Sequence, residues 1–196
     1  MNYYSEFGED QWIAEHLKLP DKGVFLDVGA GPPRTGNNTA FLRDLGWSGV
    51  AIDANPGYAE SWRQEPNTVF VTGIVSDKPL VPFEFKEIPG HSRIEAGKTL
   101  MIARRLDAIL HILKMPPIDF LSLDIEGHEF EALQTLPWDS PPKIIVSEFS
   151  TASLRDDFRV RDFLTFEHNR IYSRGHGIGL YNLAYQNPSN MIFTLR

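Results

Sequence analysis

The sequence predicts a doubly wound α/β domain: a mostly parallel sheet with helices on both faces, finished by an antiparallel C-terminal strand pair. Three observations predict it. Five short runs rich in β-branched or aromatic residues, at 24–28, 50–53, 69–72, 118–123 and 144–148, have the length of buried parallel strands. Helix-like segments alternate with them at 9–17, 38–45, 58–65, 106–113, 126–136 and 156–168. The first run breaks into a glycine turn and the second ends in an acid, as in folds that bind ligands beyond the strand C-termini.

The elements follow in order. Asn37 or Asn38 is the expected N-cap of the second helix, and Gly46 its stop. The stretch 81–88 alternates apolar and polar residues and leads into Gly90, so a hairpin insertion is expected near 80–103. Segments 180–184 and 191–195 are the expected terminal antiparallel pair. No repeat, low-complexity tract or linker divides the chain, and one domain over 1–196 is expected.

Composition narrows the chemistry. The 196 residues contain no cysteine, which excludes disulfides, thiolate metal sites and cysteine nucleophiles. A net charge of -7 disfavours nucleic acid as a partner. No 18-residue apolar run and no basic leader followed by an apolar core is present, so neither membrane insertion nor export is expected, and a cytoplasmic location is.

Phe25-Leu-Asp-Val-Gly-Ala-Gly31 is the strongest local signal. Gly29 and Gly31 let the backbone turn and approach a ligand, and the carboxylate of Asp27, directly or through water, can offset an ammonium there. That favours an amino-acid-bearing cofactor over a pyrophosphate. The dinucleotide pattern needs a glycine at 34, where Arg34 stands, and the phosphate-loop lysine is replaced by Asn37. Taken alone, the glycines suit an ordinary tight strand-to-helix turn better than a ligand site. The order strand, glycine turn, helix, strand and Asp53 shifts the balance, because an acid at the next strand's tip can accept both ribose hydroxyls.

Taken together, Ser5-Glu-Phe-Gly-Glu-Asp-Gln11, the 25–31 turn, Asn38-Thr39, Leu45-Gly-Trp-Ser-Gly-Val-Ala-Ile-Asp-Ala-Asn-Pro56, Leu106-Asp107 and Leu121-Ser-Leu-Asp-Ile-Glu-Gly-His-Glu129 resemble the successive blocks of FkbM family methyltransferases. The resemblance implies a Rossmann-like class I methyltransferase fold, S-adenosylmethionine as donor, and methylation of a hydroxyl on a small molecule or glycan. By position it implies that Asp27, Gly29 and Gly31 line the methionine and sugar side, with Asn38 and Thr39 at the start of the next helix. Asp53 and Asn55 fall at the ribose, Ser76 and Asp77 at the adenine, and Phe7 lies over the cofactor. The loop Gly31-Pro-Pro-Arg-Thr-Gly36 departs from the family's usual turn, and the chain after Ser150 matches no family block.

Transfer from a sulfonium needs in-line alignment and, for a hydroxyl, a base. Asp124, Glu126 and His128 follow the fourth strand and are the catalytic candidates, Asp124 first because it ends that strand. Glu126 and Glu129 also suit a helix N-terminus, and His128 an exposed first turn. Glu148, ending the fifth strand, is expected to join Asp124 if a divalent cation takes part, and two carboxylates would suit Mg2+. Two rivals remain open at this level: a nicotinamide-dependent oxidoreductase and a non-catalytic nucleoside-binding domain.

Overall fold

Strand β1 (Val24–Val28) pairs in parallel with β2 (Ser48–Asp53) on one side and, across a crossover, with β7 (Phe120–Leu123) on the other. Adding β3 (Thr68–Thr72), β8 (Ile144–Glu148), β9 (His176–Ile178) and β10 (Asn190–Thr194) gives a seven-stranded sheet in the order β3-β2-β1-β7-β8-β10-β9. The computed structural model describes residues 1–83, 99–149, 154–167, 176–178 and 190–195. β10 runs antiparallel to both β8 and β9, which supplies the antiparallel end. The expected strand at 180–184 lies outside the described residues.

Period-2 alternation divides the core between the two faces of the sheet. Leu26, Val28, Leu121, Leu123 and Ile145 pack on α4 (Leu106–Ile112), α5 (Glu129–Leu133) and α6 (Leu154–Asp162). Phe25, Phe120, Ile144 and Val146 pack on α1 (Glu9–His16) and α2 (Ala40–Asp44), with Trp47 fully buried among them. A smaller sheet of β4 (Ile74–Val75), β5 (Leu80–Phe83) and β6 (Thr99–Arg104) sits beside the main one, with β5 and β6 antiparallel. Residues 84–88 of the expected alternating stretch lie outside the described residues.

Helix ends differ from the pattern, each for a local reason. The residue flanking α2 is Thr39, not Asn37 or Asn38, and it makes no side-chain cap bond; the capping-type bond comes two residues earlier, where Asn37 Oδ1 accepts the Thr39 amide at 3.1 Å while its Nδ2 bonds Asp27 and Ala30. Instead of starting at Glu126, α5 starts at Glu129, since Glu126 (φ 59°) and Gly127 (φ 97°) are left-handed. The helix expected at 58–65 is a 3-10 turn, Pro56–Tyr58, followed by α3 (Ala59–Trp62). The last helix ends in a π turn, Phe163–Glu167.

Candidate functional site

A cleft of about 720 Å³ opens at the C-terminal ends of β1, β2 and β7, where the strand order reverses. Val28 is in register with Ile52 and Leu123, and Leu123 with Ser147, so Asp53, Gly29, Asp124 and Glu148 follow one another across the strand ends. Gly29 (φ 78°) passes so close to β7 that a Cβ would lie 1.6 Å from the Asp124 carbonyl oxygen. No larger residue fits there without displacing backbone.

The expected donor-side residues Gly29, Gly31, Asp53 and Asn55 line this cleft, as do Asp124 and Glu126. Asp53 accepts the Gly31 amide on Oδ2 at 2.8 Å and the Asn55 amide on Oδ1 at 2.7 Å. Burial nonetheless pushes its carboxyl up, against the pull of those two amides. Each oxygen keeps acceptor capacity, which suits a pair of hydroxyls. Asn55 caps the 3-10 turn by accepting the Gly57 amide at 2.9 Å, and so presents Tyr58 to the cleft.

The remaining expected donor residues lie behind the cleft wall. Asp27 is 2% exposed and accepts from Thr39 Oγ1 at 2.6 Å and Asn37 Nδ2 at 2.9 Å. Desolvation pushes its pKa up, while Thr39, the Arg43 guanidinium and Asn37 pull it back. The Asn38 side chain reaches Ser122 Oγ at 3.2 Å. Ser76 is buried and bonds His128 Nε2 at 2.9 Å and Asp77, so the cleft wall at this level is Ile74 and Val75. Phe7 is not among the lining residues; Tyr3, Tyr4, Ser5 and Glu6 are.

That N-terminal segment is folded over the cleft by Asp10, fully buried, which accepts the Tyr4 and Ser5 amides and the Ser5 hydroxyl. The Tyr4 hydroxyl donates to Asp44 at 2.7 Å. Tyr3, Tyr4 and Tyr58 are therefore lining residues that sequence reasoning missed. Tyr3 and Tyr4 immediately precede the Ser5 to Gln11 block, whose own aromatic, Phe7, does not line the cleft.

On the acceptor side, Asp124 is open to the cleft on one side and enclosed by protein on the others. Its carboxyl hydrogen-bonds that of Glu148, on the neighbouring strand. Desolvation of the half-buried Glu148 and repulsion from the Asp124 and Glu129 carboxylates push its carboxyl up; Asp124, although exposed to the cleft, is raised in the same direction by desolvation from its protein neighbours and by the Glu126 and Asp27 carboxylates. Glu148 Oε2 is buried without a hydrogen-bond partner among the described residues. Glu126 lines the cleft in its left-handed turn. His128 instead points at Ser76 and lies 3.8 Å from Glu131.

Glu129 organises this loop: its Oε1 accepts the Ile125 and Gly127 amides at 2.8 and 3.2 Å. Burial pushes its carboxyl up to about 8. A carboxyl raised in the fold contributes stability below its unfolded value of 4.5 and loses it as pH rises to about 8. Glu129→Gln keeps the acceptor oxygen and removes the titration. The melting temperature of the variant relative to wild type should therefore rise from pH 5 to pH 9; an equal difference at both values would show that Glu129 does not titrate in this window.

Mg2+ does not fit. Among the described residues no three His, Cys, Asp or Glu side chains are gathered to hold a metal ion, and Asp124 and Glu148 are directed at each other.

A methyltransferase FkbM domain model matches residues 27–173, three quarters of the chain. The chain belongs to the FkbM methyltransferase family. Its fold is that of other methyltransferases at low identity. A chain of a fibrillarin/Nop5p complex is 12% identical with a TM-score of 0.56, over 98% of this chain and 81% of that one. Precorrin-6y C5,15-methyltransferase from Geobacter metallireducens is 14% identical, TM-score 0.50, over 95% and 87%. A protein assigned as an O-methyltransferase from Klebsiella pneumoniae is 10% identical, TM-score 0.52, over 100% and 83%. No curated protein matches the sequence. This FkbM protein is thus an S-adenosylmethionine-dependent methyltransferase, and the oxidoreductase alternative falls. Among its described residues no helix is long and apolar enough to cross a membrane.

Proposed function

We propose that this FkbM methyltransferase methylates a hydroxyl of a small molecule or glycan, with Asp124 taking the hydroxyl proton. The observation that carries the reading is the placement of Asp124: the residue is exposed to the cleft, its backbone carbonyl abuts Gly29, and only β1 separates it from Asp53.

S-adenosylmethionine supplies, when bound, a methyl group made electrophilic by its sulfonium. Asp53 accepts the ribose hydroxyls, with Asn55 holding the turn beside it. Gly29 and Gly31 let the methionine portion approach the backbone of loop 29–36. Ile74, Val75 and Tyr58 provide the apolar wall for the adenine, a role that Ser76 and Asp77 support from behind. Asp124 removes the acceptor proton as the new carbon–oxygen bond forms and the carbon–sulfur bond breaks, with Glu148 orienting its carboxylate. Glu126 is the neighbouring group that can hold a second acceptor hydroxyl. With Glu6, Asp124 and Glu126 all at the cleft and a net charge of -7, a polyanionic acceptor such as nucleic acid is disfavoured.

S-adenosylhomocysteine should raise the melting temperature of the wild-type protein, since a ligand of the native state stabilises it by mass action. Asp53→Ala should weaken this ligand by about 1–3 kcal/mol, the scale of losing a charged acceptor for hydroxyls. Unchanged affinity in calorimetry would remove Asp53 from the ribose. Labelled methyl transfer across a panel of sugars, glycolipids and small alcohols tests the acceptor class; transfer only to amines or to RNA would overturn the hydroxyl reading, and none to any acceptor would favour the non-catalytic alternative.

A further inference from the structure

Three carbonyls of the donor loop are drawn away from the cleft by buried side chains. Ala30 O accepts from Asn37 Nδ2 at 2.9 Å, Gly31 O from Trp62 Nε1 at 2.8 Å, and Pro33 O from Arg43 Nη2. Prolines at 32 and 33 supply no N–H, so the orientation of the loop rests on where its carbonyls go. The amides of Arg34, Thr35 and Gly36, residues that line the cleft, have no protein acceptor among the described residues.

Arg43 is 3% exposed, and every part of its fork is used. Its Nε bonds Glu65 at 3.0 Å, and its Nη1 bonds Thr39 Oγ1 at 2.7 Å and Asn37 Oδ1 at 3.2 Å. The guanidinium lies over the Trp62 ring, 4.6 Å from its centroid, so the two loop-holding side chains also hold each other. Glu65 receives Arg34 as well, through two bonds of 2.7 Å, and Arg34 continues to Asp44. This ion network compensates the burial of Arg43. A lysine cannot reproduce it, because a point charge cannot reach Pro33, Thr39 and Glu65 from one plane.

We propose that Arg43 and Trp62 are positioning residues for the methyl donor. They turn the carbonyl side of loop 30–36 inward, so that its amide side receives the carboxylate at the methionine end of S-adenosylmethionine. A carbonyl left facing the cleft would repel that carboxylate and shift the loop. The inference rests on the donor assignment above and extends it to two residues that never touch the cofactor.

The test compares two ligands. S-adenosylhomocysteine carries the amino acid, whereas 5′-methylthioadenosine keeps the adenosine and lacks it. Calorimetry on wild type, Trp62→Phe and Arg43→Lys, well below their melting temperatures, separates loop positioning from folding. Trp62→Phe keeps an aromatic ring beneath Arg43 while removing the bond to Gly31 and part of the indole's buried volume, which keeps the test open if the Arg43 variant folds poorly. Loss of one hydrogen bond's worth of loop order predicts an affinity for S-adenosylhomocysteine lowered about five- to tenfold, with 5′-methylthioadenosine changed less than about twofold. Arg43→Lys should lose more of the first ligand and equally little of the second. Equal losses of both ligands, or a lower melting temperature with both affinities unchanged, would make the two residues merely structural and overturn the proposal. Failure of both ligands to bind wild type would overturn the donor assignment, and this inference with it.

Discussion

Asp124→Asn is expected to lower turnover by about a hundredfold or more while leaving donor affinity nearly intact, the size of losing a positioned base. The amide preserves shape, and its Nδ2 can still meet Glu148, so the substitution removes the proton acceptor and little else. Donor affinity should survive because the proposed donor contacts, Asp53, the glycine turn and the apolar wall, do not depend on the Asp124 charge. Glu126→Gln is the comparison: it sits in the same cleft but in a left-handed turn beyond the end of β7, and a smaller loss is expected. A metal chelator should leave wild-type turnover unchanged, because the described residues gather no metal ligands. Single-turnover kinetics and calorimetry read both quantities. Full activity in Asp124→Asn would remove that residue from the chemistry and leave alignment, with Glu126, as the account.

Gly29→Ala should have the largest effect on the protein as a whole. The added methyl carbon would sit 1.6 Å from the Asp124 carbonyl oxygen and 2.6 Å from its carbon, in a backbone conformation of φ 78°. Left-handed geometry alone costs about 1–2 kcal/mol for a residue with a side chain. The overlap is with backbone and has no flexible end to give way, so the total is expected to be on the order of 4 kcal/mol. Relief requires β1 and β7 to separate at their ends, where donor and acceptor must meet. Both the denaturation midpoint and S-adenosylhomocysteine binding should therefore fall together. A variant with wild-type stability would mean that the two strand ends part easily. Gly31→Ala is a useful contrast: its φ of 55° carries the same conformational cost, but nothing lies within 4 Å of the added carbon, so the loss should stay near the conformational term.

The two glycines also show what was legible and what was not. A turn at Phe25 to Gly31 could be read from the glycines themselves, but only the register of β1 with β7 reveals that Gly29 admits no side chain while Gly31 does. Asp27 is a similar case. An acid before a glycine turn suggests a cofactor contact, and the structure instead buries it under Thr39 and Asn37, where it supports the loop from behind. By sequence position His128 is an alternative base, ranked after Asp124, which ends the strand. One residue of left-handed turn at Glu126 and another at Gly127 rotate His128 toward Ser76.

What the sequence by itself determined is the layered α/β architecture, the family, the donor class and the strand ends at which the site forms. Those depend on local quantities: the period of apolar residues, glycines where the chain must turn, and acids at fixed offsets from strands. Only the tertiary structure decided which side chains line the cleft, that Asp124 and Glu148 follow neighbouring strand ends, that the segment 3–6 folds over the cleft, and that Arg43 and Trp62 bond the carbonyls of loop 30–36. These depend on contacts between residues tens of positions apart, such as Gly31 with Trp62 or Asp124 with Glu148, and on the burial that raises a carboxyl's pKa. Neither the contact nor the burial has a local signature in the chain, because both exist only once the strands have paired and the helices have closed the two faces of the sheet.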